Sequence, residues 1–119
     1  MNDFQTRCDN WVLSALGTGM RNSRIERGYR LLEEAIEAAQ AAGVSEYAAH
    51  TLVSHSFSRP IGNPVQEVGG VMITLAAYGT ANGIDIRVAG ETELARCWRF
   101  HDEISKKAHA KHIRDEGEP

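Results

Sequence analysis

The sequence predicts an all-α protein, a four- to five-helix antiparallel bundle. Apolar residues recur at spacings of three and four through most of the chain. Only three prolines, Pro60, Pro64 and Pro119, interrupt it, so long helices have room to run. The best strand candidate, Ile84 to Val88, is short and bounded by glycines.

Each helix has its own signals. The first spans about Asp3 to Leu16, with Phe4, Cys8, Trp11, Val12 and Ala15 on one face, and stops before Gly17 and Gly19. A second starts at Ser23, with Glu26 three residues on as a reciprocal cap, and runs to Gly43. Ser45 to about Ser56 forms a shorter third helix, closed by the turn-rich SRPIGNP. The fourth opens on Asn63 as N-cap, Pro64 at the first helical position and Gln66 three residues after the cap; it ends near Asn82 with Gly83 as its stop. The fifth, from about Glu91 to His112, carries Leu94, Cys97, Trp98, His101, Ile104 and Ala108 on a stripe. These elements form one domain over 1–119, its core about 23–112 and its tail 113–119 frayed.

Composition narrows the function classes. Thirteen basic against sixteen acidic residues give a net charge of −3, which disfavours general nucleic-acid binding by phosphate neutralisation. No apolar run reaches the length of a membrane span, and the first ten residues lack the order of a signal peptide, so the expected location is cytoplasmic. Cys8 and Cys97 match neither a zinc spacing nor a redox pair and read as free, partly buried thiols.

The carboxylates carry the chemical signal. On the second helix Leu31, Leu32, Ala35, Ile36 and Ala39 form an apolar stripe, and Glu33, Glu34 and Glu37 share the opposite arc. From Pro64 to Asn82 the fourth helix has no lysine, arginine or aspartate and a single carboxylate, Glu67. A lone charge on a helix enclosed by neighbours needs a counter-ion, a hydrogen bond or a metal. If the two helices face each other, Glu34, Glu37 and Glu67 present hard oxygens to a divalent cation, magnesium or manganese. Such an ion relieves the mutual repulsion of the carboxylates and leaves positions open for phosphate oxygens and water. The alternative is a solvated acidic face.

These residues resemble the MazG-like all-α nucleoside triphosphate pyrophosphohydrolases, a superfamily that includes dimeric dUTPases and phosphoribosyl-ATP pyrophosphohydrolases. The resemblance covers Glu26 to about Lys107 and rests on EEAIE at 33–37, EVGG at 67–70 and the following VMITLAAYGTANGID. It departs at Gly70, where the family pattern has aspartate. The resemblance implies a MazG-type bundle that forms homodimers or homotetramers and hydrolyses a nucleoside triphosphate, or a deoxy or modified one, to the monophosphate and pyrophosphate. It implies Mg2+, with Mn2+ as a substitute, held by Glu34, Glu37 and Glu67, while Glu33 acts in catalysis by holding a second metal or orienting the attacking water. Gly70 either lets phosphate or water approach the backbone or marks a site without its chemistry. A non-catalytic nucleotide or metal binder, or a helical interaction protein on the same scaffold, is therefore the alternative.

Other residues are weighed beside these. Arg27, Arg30, Lys106 and Lys107, with Lys111 near the last two, are candidate substrate-binding cations. Asp85, just past Gly83, reads as a turn or cap residue. The five histidines lack a zinc spacing, and Trp11 and Trp98 read as core or interface.

Overall fold

The computed structural model describes residues 2–116, with side chains described through residue 110. Its regular structure is α-helical throughout: α1 (Asp3–Asn22), α2 (Arg24–Ala41), α3 (Glu46–Phe57), α4 (Pro64–Ala81), α5 (Ile86–Arg99) and α6 (His101–Glu116). Six helices thus stand among the described residues where four or five were expected.

Local capping accounts for most of the boundaries. Asn2 Oδ1 accepts the Gln5 amide at 2.7 Å and opens α1. Gly17 has φ 84 and ψ 171 and breaks the helical path, which resumes to Asn22, so the expected end at Leu16 is a kink within α1. Ser23 Oγ accepts the Glu26 amide at 3.2 Å, and Ser45 Oγ the Ala48 amide at 3.1 Å. Asn63 Oδ1 takes the amides of Val65 and Gln66, with Pro64 spending no donor in the first turn. Gly43 and Gly83, both at positive φ, close α2 and α4 in the same way. The amides of Val44 and Ile84 reach back to the carbonyls of Ala39 and Gly79, at 3.0 and 2.8 Å, satisfying last-turn acceptors.

The weak strand signal at Ile84 to Val88 gives no strand, in keeping with the expected all-α class: the Gly83 stop hands over to α5, whose first residue is Ile86. One boundary is corrected. The expected fifth helix starts earlier, at Ile86, and is divided at Phe100. The division is slight, because Phe100 donates to the Arg96 carbonyl and accepts from Ile104, both at 3.0 Å. α6 runs on through Glu116, and residues 117–119 of the expected frayed tail lie outside the described residues.

The chain divides into two units. One comprises α1, the start of α2 through Gly28, and α5 with α6; the other is Tyr29–Ile86, holding the rest of α2 with α3 and α4. In the first unit α1 packs on α6. Ser105 Oγ donates to the Ala15 carbonyl, and Ala15 and Leu16, 2% and 8% exposed, are its buried apolar side chains. Arg7 bridges to Glu91 and Arg21 to Asp9. In the second unit α2 and α4 meet where Tyr78 Oη donates to the Ala38 carbonyl at 2.6 Å.

Burial is sparse for a sequence of 42% hydrophobic residues. The accessible surface is 9580 Å². Large apolar side chains are exposed in both units, and in the second Tyr47, Phe57, Ile61 and Val65 are each more than four-fifths exposed.

Candidate functional site

The four candidate carboxylates all belong to the second unit. On α2, Glu33 and Glu34 flank Arg30. Its Nη1 donates to Glu33 Oε1 at 2.9 Å, and its Nη2 stands 3.7 Å from Glu34 Oε1. Arg30, expected as a phosphate-binding cation, is therefore held on the acidic arc itself. Glu34 is 68% exposed in this pairing, so the ion pair contributes about 0–1 kcal/mol and leaves the carboxylate accessible. Glu37, one turn on from Glu34, is exposed as well.

Glu67 sits in the first turn of α4, where the helix N-terminus favours an anion. Its carboxylate lies over the preceding loop. A Cβ at Gly62 would stand 2.6 Å from Glu67 Oε1, so the carboxylate occupies the space that glycine leaves open. At Gly70 a Cβ would meet no atom within 4 Å, so a side chain there projects into open space.

The structure brings Glu33, Glu34 and Glu37 onto one arc and does not bring Glu67 to them. Glu67 precedes Tyr78, the residue that meets α2, by about 16 Å of helix axis. Glu37 adjoins Ala38, the other side of that contact. Among the described residues no three histidine, cysteine or acidic side chains gather closely enough to hold a metal ion. Glu34, Glu37 and Glu67 thus form no three-ligand group among the described residues.

The remaining candidates are dispersed. Arg27, in the first unit, is half-buried, and Lys106 and Lys107 are exposed on α6. Lys111 falls among side chains that are not described. Asp85 stands immediately before α5. Cys8 and Cys97 are free thiols. Burial pushes the Cys8 thiol up, against the opposing pull of Arg7.

Two features of the first unit were not legible in the sequence. A cavity of about 280 Å³ is lined by Arg7, Asn10, Glu91, Leu94, Ala95 and Trp98. Arg7 holds the Glu91 carboxyl below its ordinary range through their hydrogen bond, just as Arg21 does for Asp9 and Arg96 for Glu93. Near it, Ser14 Oγ lies 3.1 Å from His101 Nε2, and His101 Nδ1 lies 3.0 Å from Asp102 Oδ1. Asp102 is 99% exposed, so water competes for its carboxylate, and the imidazole is oriented by stacking on Trp98 at 5.8 Å. The chain of contacts ties the start of α6 to α1. No sequence signal connects residues 87 positions apart.

Comparison with protein-family models, with curated proteins and with solved structures finds no match. Among the described residues no helix is long and apolar enough to cross a membrane.

Proposed function

We propose that the chain is a magnesium-dependent nucleoside triphosphate pyrophosphohydrolase of the MazG-like type. It acts in the cytoplasm as a homodimer or homotetramer and releases the nucleoside monophosphate and pyrophosphate. The observation that carries the reading is the placement of Glu33, Glu34 and Glu37 on one accessible arc of α2, with Glu67 in the first turn of α4 of the same unit. In this reading Glu34, Glu37 and Glu67 are the metal ligands, Glu33 the catalytic carboxylate, and Mn2+ a substitute ion. Arg30, tethered to Glu33 and Glu34, keeps that arc from self-repulsion until a divalent ion takes over the task.

Gly70 favours a second reading on the same scaffold, a nucleotide or metal binder without turnover. One assay separates the two. The purified chain is incubated with ribo- and deoxyribonucleoside triphosphates in Mg2+ and then Mn2+, and pyrophosphate release is followed. Release with at least one nucleotide is the expected result. Thermal stabilisation by nucleotide without release favours the binder, and neither effect removes both readings.

A further inference from the structure

The contacts between α1 and the start of α6 set a hydroxyl, an imidazole and a carboxylate in series. Ser14 Oγ lies 3.1 Å from His101 Nε2, and His101 Nδ1 lies 3.0 Å from Asp102 Oδ1. A proton on Nδ1 directed to Asp102 leaves Nε2 as the base toward the Ser14 hydroxyl, a tautomer assigned from these contacts. Ser14 is exposed, whereas the His101 side chain is only 25% exposed and stacks on Trp98 with 11° between the ring planes. A hydroxyl within reach of a base that is itself oriented by other groups is the arrangement that activates serine for acyl transfer, and it is recognised by geometry and not by fold. Ser105 shows the purely structural counterpart. Its Oγ donates to the Ala15 carbonyl at 2.5 Å and stands 3.5 Å from His109 Nδ1.

Two cavities adjoin the pair. One of about 450 Å³ is lined by Ser14, Trp98, Arg99, His101, Asp102 and Glu103. Trp98 is also a wall of the cavity of about 280 Å³, which adds Leu94 and Ala95. Asn10 lines the smaller cavity and Ser14 the larger, and the two are neighbours one turn apart on α1. A cavity of roughly 150 Å³ holds benzene, so the smaller one has room for an acyl chain. Its charged lining groups, Arg7 and Glu91, neutralise each other, which suits a chain without charge. Donors for a developing oxyanion line the larger cavity. Phe100 accepts the Ile104 amide as the residue capping α6, but has no side-chain oxygen to satisfy the amides of residues 101–103 that follow it. With the Arg99 guanidinium they supply positive charge beside Ser14.

We propose that Ser14, His101 and Asp102 form a nucleophilic site that hydrolyses esters of neutral, short- to medium-chain carboxylic acids. Ser14 Oγ attacks the ester carbonyl carbon while His101 Nε2 takes the hydroxyl proton. Collapse of the tetrahedral adduct breaks the bond to the leaving alcohol, which departs with that proton. Water, giving a proton to Nε2, then attacks the acyl-serine; the Oγ–acyl bond breaks, the carboxylic acid leaves and the proton returns to Ser14. Asp102, itself 99% exposed, is a positioning residue of small effect.

The test follows hydrolysis of p-nitrophenyl acetate, butyrate and octanoate by the full chain, with folding checked by circular dichroism. Ser14→Ala and His101→Gln are each expected to lower kcat/KM for the butyrate by at least about 100-fold, the scale of general-base assistance. Asp102→Ala should lower kcat by no more than about fivefold at unchanged KM, and Asp102→Glu should recover it. Ala95→Phe, which narrows the smaller cavity, should shift preference from octanoate to acetate; an unchanged preference would overturn the acyl assignment. A fluorophosphonate should label Ser14, located by peptide mass spectrometry, and should do so far more slowly in His101→Gln. Hydrolysis that survives Ser14→Ala is direct attack by exposed imidazoles and would overturn the proposal. So would a folded wild type that neither turns over the esters nor takes the label. These residues all lie in the first unit, so either result stands apart from nucleotide hydrolysis by the carboxylates of the second.

Discussion

Replacing Tyr78 by phenylalanine removes one oxygen from the contact between α2 and α4. The hydroxyl donates to the Ala38 carbonyl at 2.6 Å in a half-buried setting. Intramolecular hydrogen bonds contribute about 0.5–1.5 kcal/mol net, and most of the larger costs arise when a buried partner is left unsatisfied. Here the acceptor is not orphaned, because the Ala38 carbonyl also receives the Ala42 amide at 3.2 Å. The loss should therefore fall in the lower half of the range, about 0.5–1 kcal/mol, lowering Tm by about 2–5 °C. Urea unfolding followed by circular dichroism measures it, with protein concentration held fixed because an oligomer's stability depends on it. The slope with denaturant should stay unchanged, since the ring remains. A Tyr78→Phe chain as stable as the parent would mean that this hydrogen bond does not join the helices, and the separation of Glu67 from Glu37 argued from it would lose its basis.

Other consequences follow from the same contacts. Gly62→Ala should leave Tm nearly unchanged but displace the Glu67 carboxylate, because the obstructing atom is the far end of a flexible side chain. Pyrophosphate release should fall, and equal activity in the two proteins would argue against a placed Glu67. Gly70→Asp should be accommodated in open space, gain a few tenths of a kcal/mol in helix stability, and tighten Mg2+ binding measured by calorimetry. Weaker metal binding would count against the site. The carboxyls of Asp9 and Glu91 are depressed by Arg21 and Arg7, so they stabilise the fold above their ordinary values of 3.8 and 4.5. That contribution is lost as pH falls below those values and through the folded ones, and Tm should drop over that window. Glu91→Gln should flatten the drop, and an unchanged profile would refute the pairing.

Sequence reading reached the features decided within one or two turns of chain. Ser23, Ser45 and Asn63 cap the helices that follow, and Gly43 and Gly83 close those that precede them, because the donors and acceptors involved are sequence neighbours. The shared arc of Glu33, Glu34 and Glu37 was legible for the same reason. The break at Phe100 was not, since apolar spacing continues across it from Leu94 to Ala108. Nor was the contact of Tyr78 with Ala38, or of Ser14 with His101, where nothing local requires the pairing. The resting place of Glu67 depends on loop geometry at Gly62, which composition does not reveal. The apolar stripes of α2 and α4 led to an expectation of enclosed helices that the structure corrects: Leu31, Leu32, Val68 and Met72 are all more than half exposed, because periodicity marks a face as apolar without saying that anything covers it.

The most direct measurement of the central claim is pyrophosphate release in Mg2+ by the wild-type chain beside Glu34→Gln and Glu67→Gln, with folding of each checked by circular dichroism. The account predicts turnover in the wild type and a loss of at least roughly 100-fold in both variants, beyond what disturbing a neighbour of a metal ligand costs. Folded variants that hydrolyse nucleotide as fast as the wild type would contradict it.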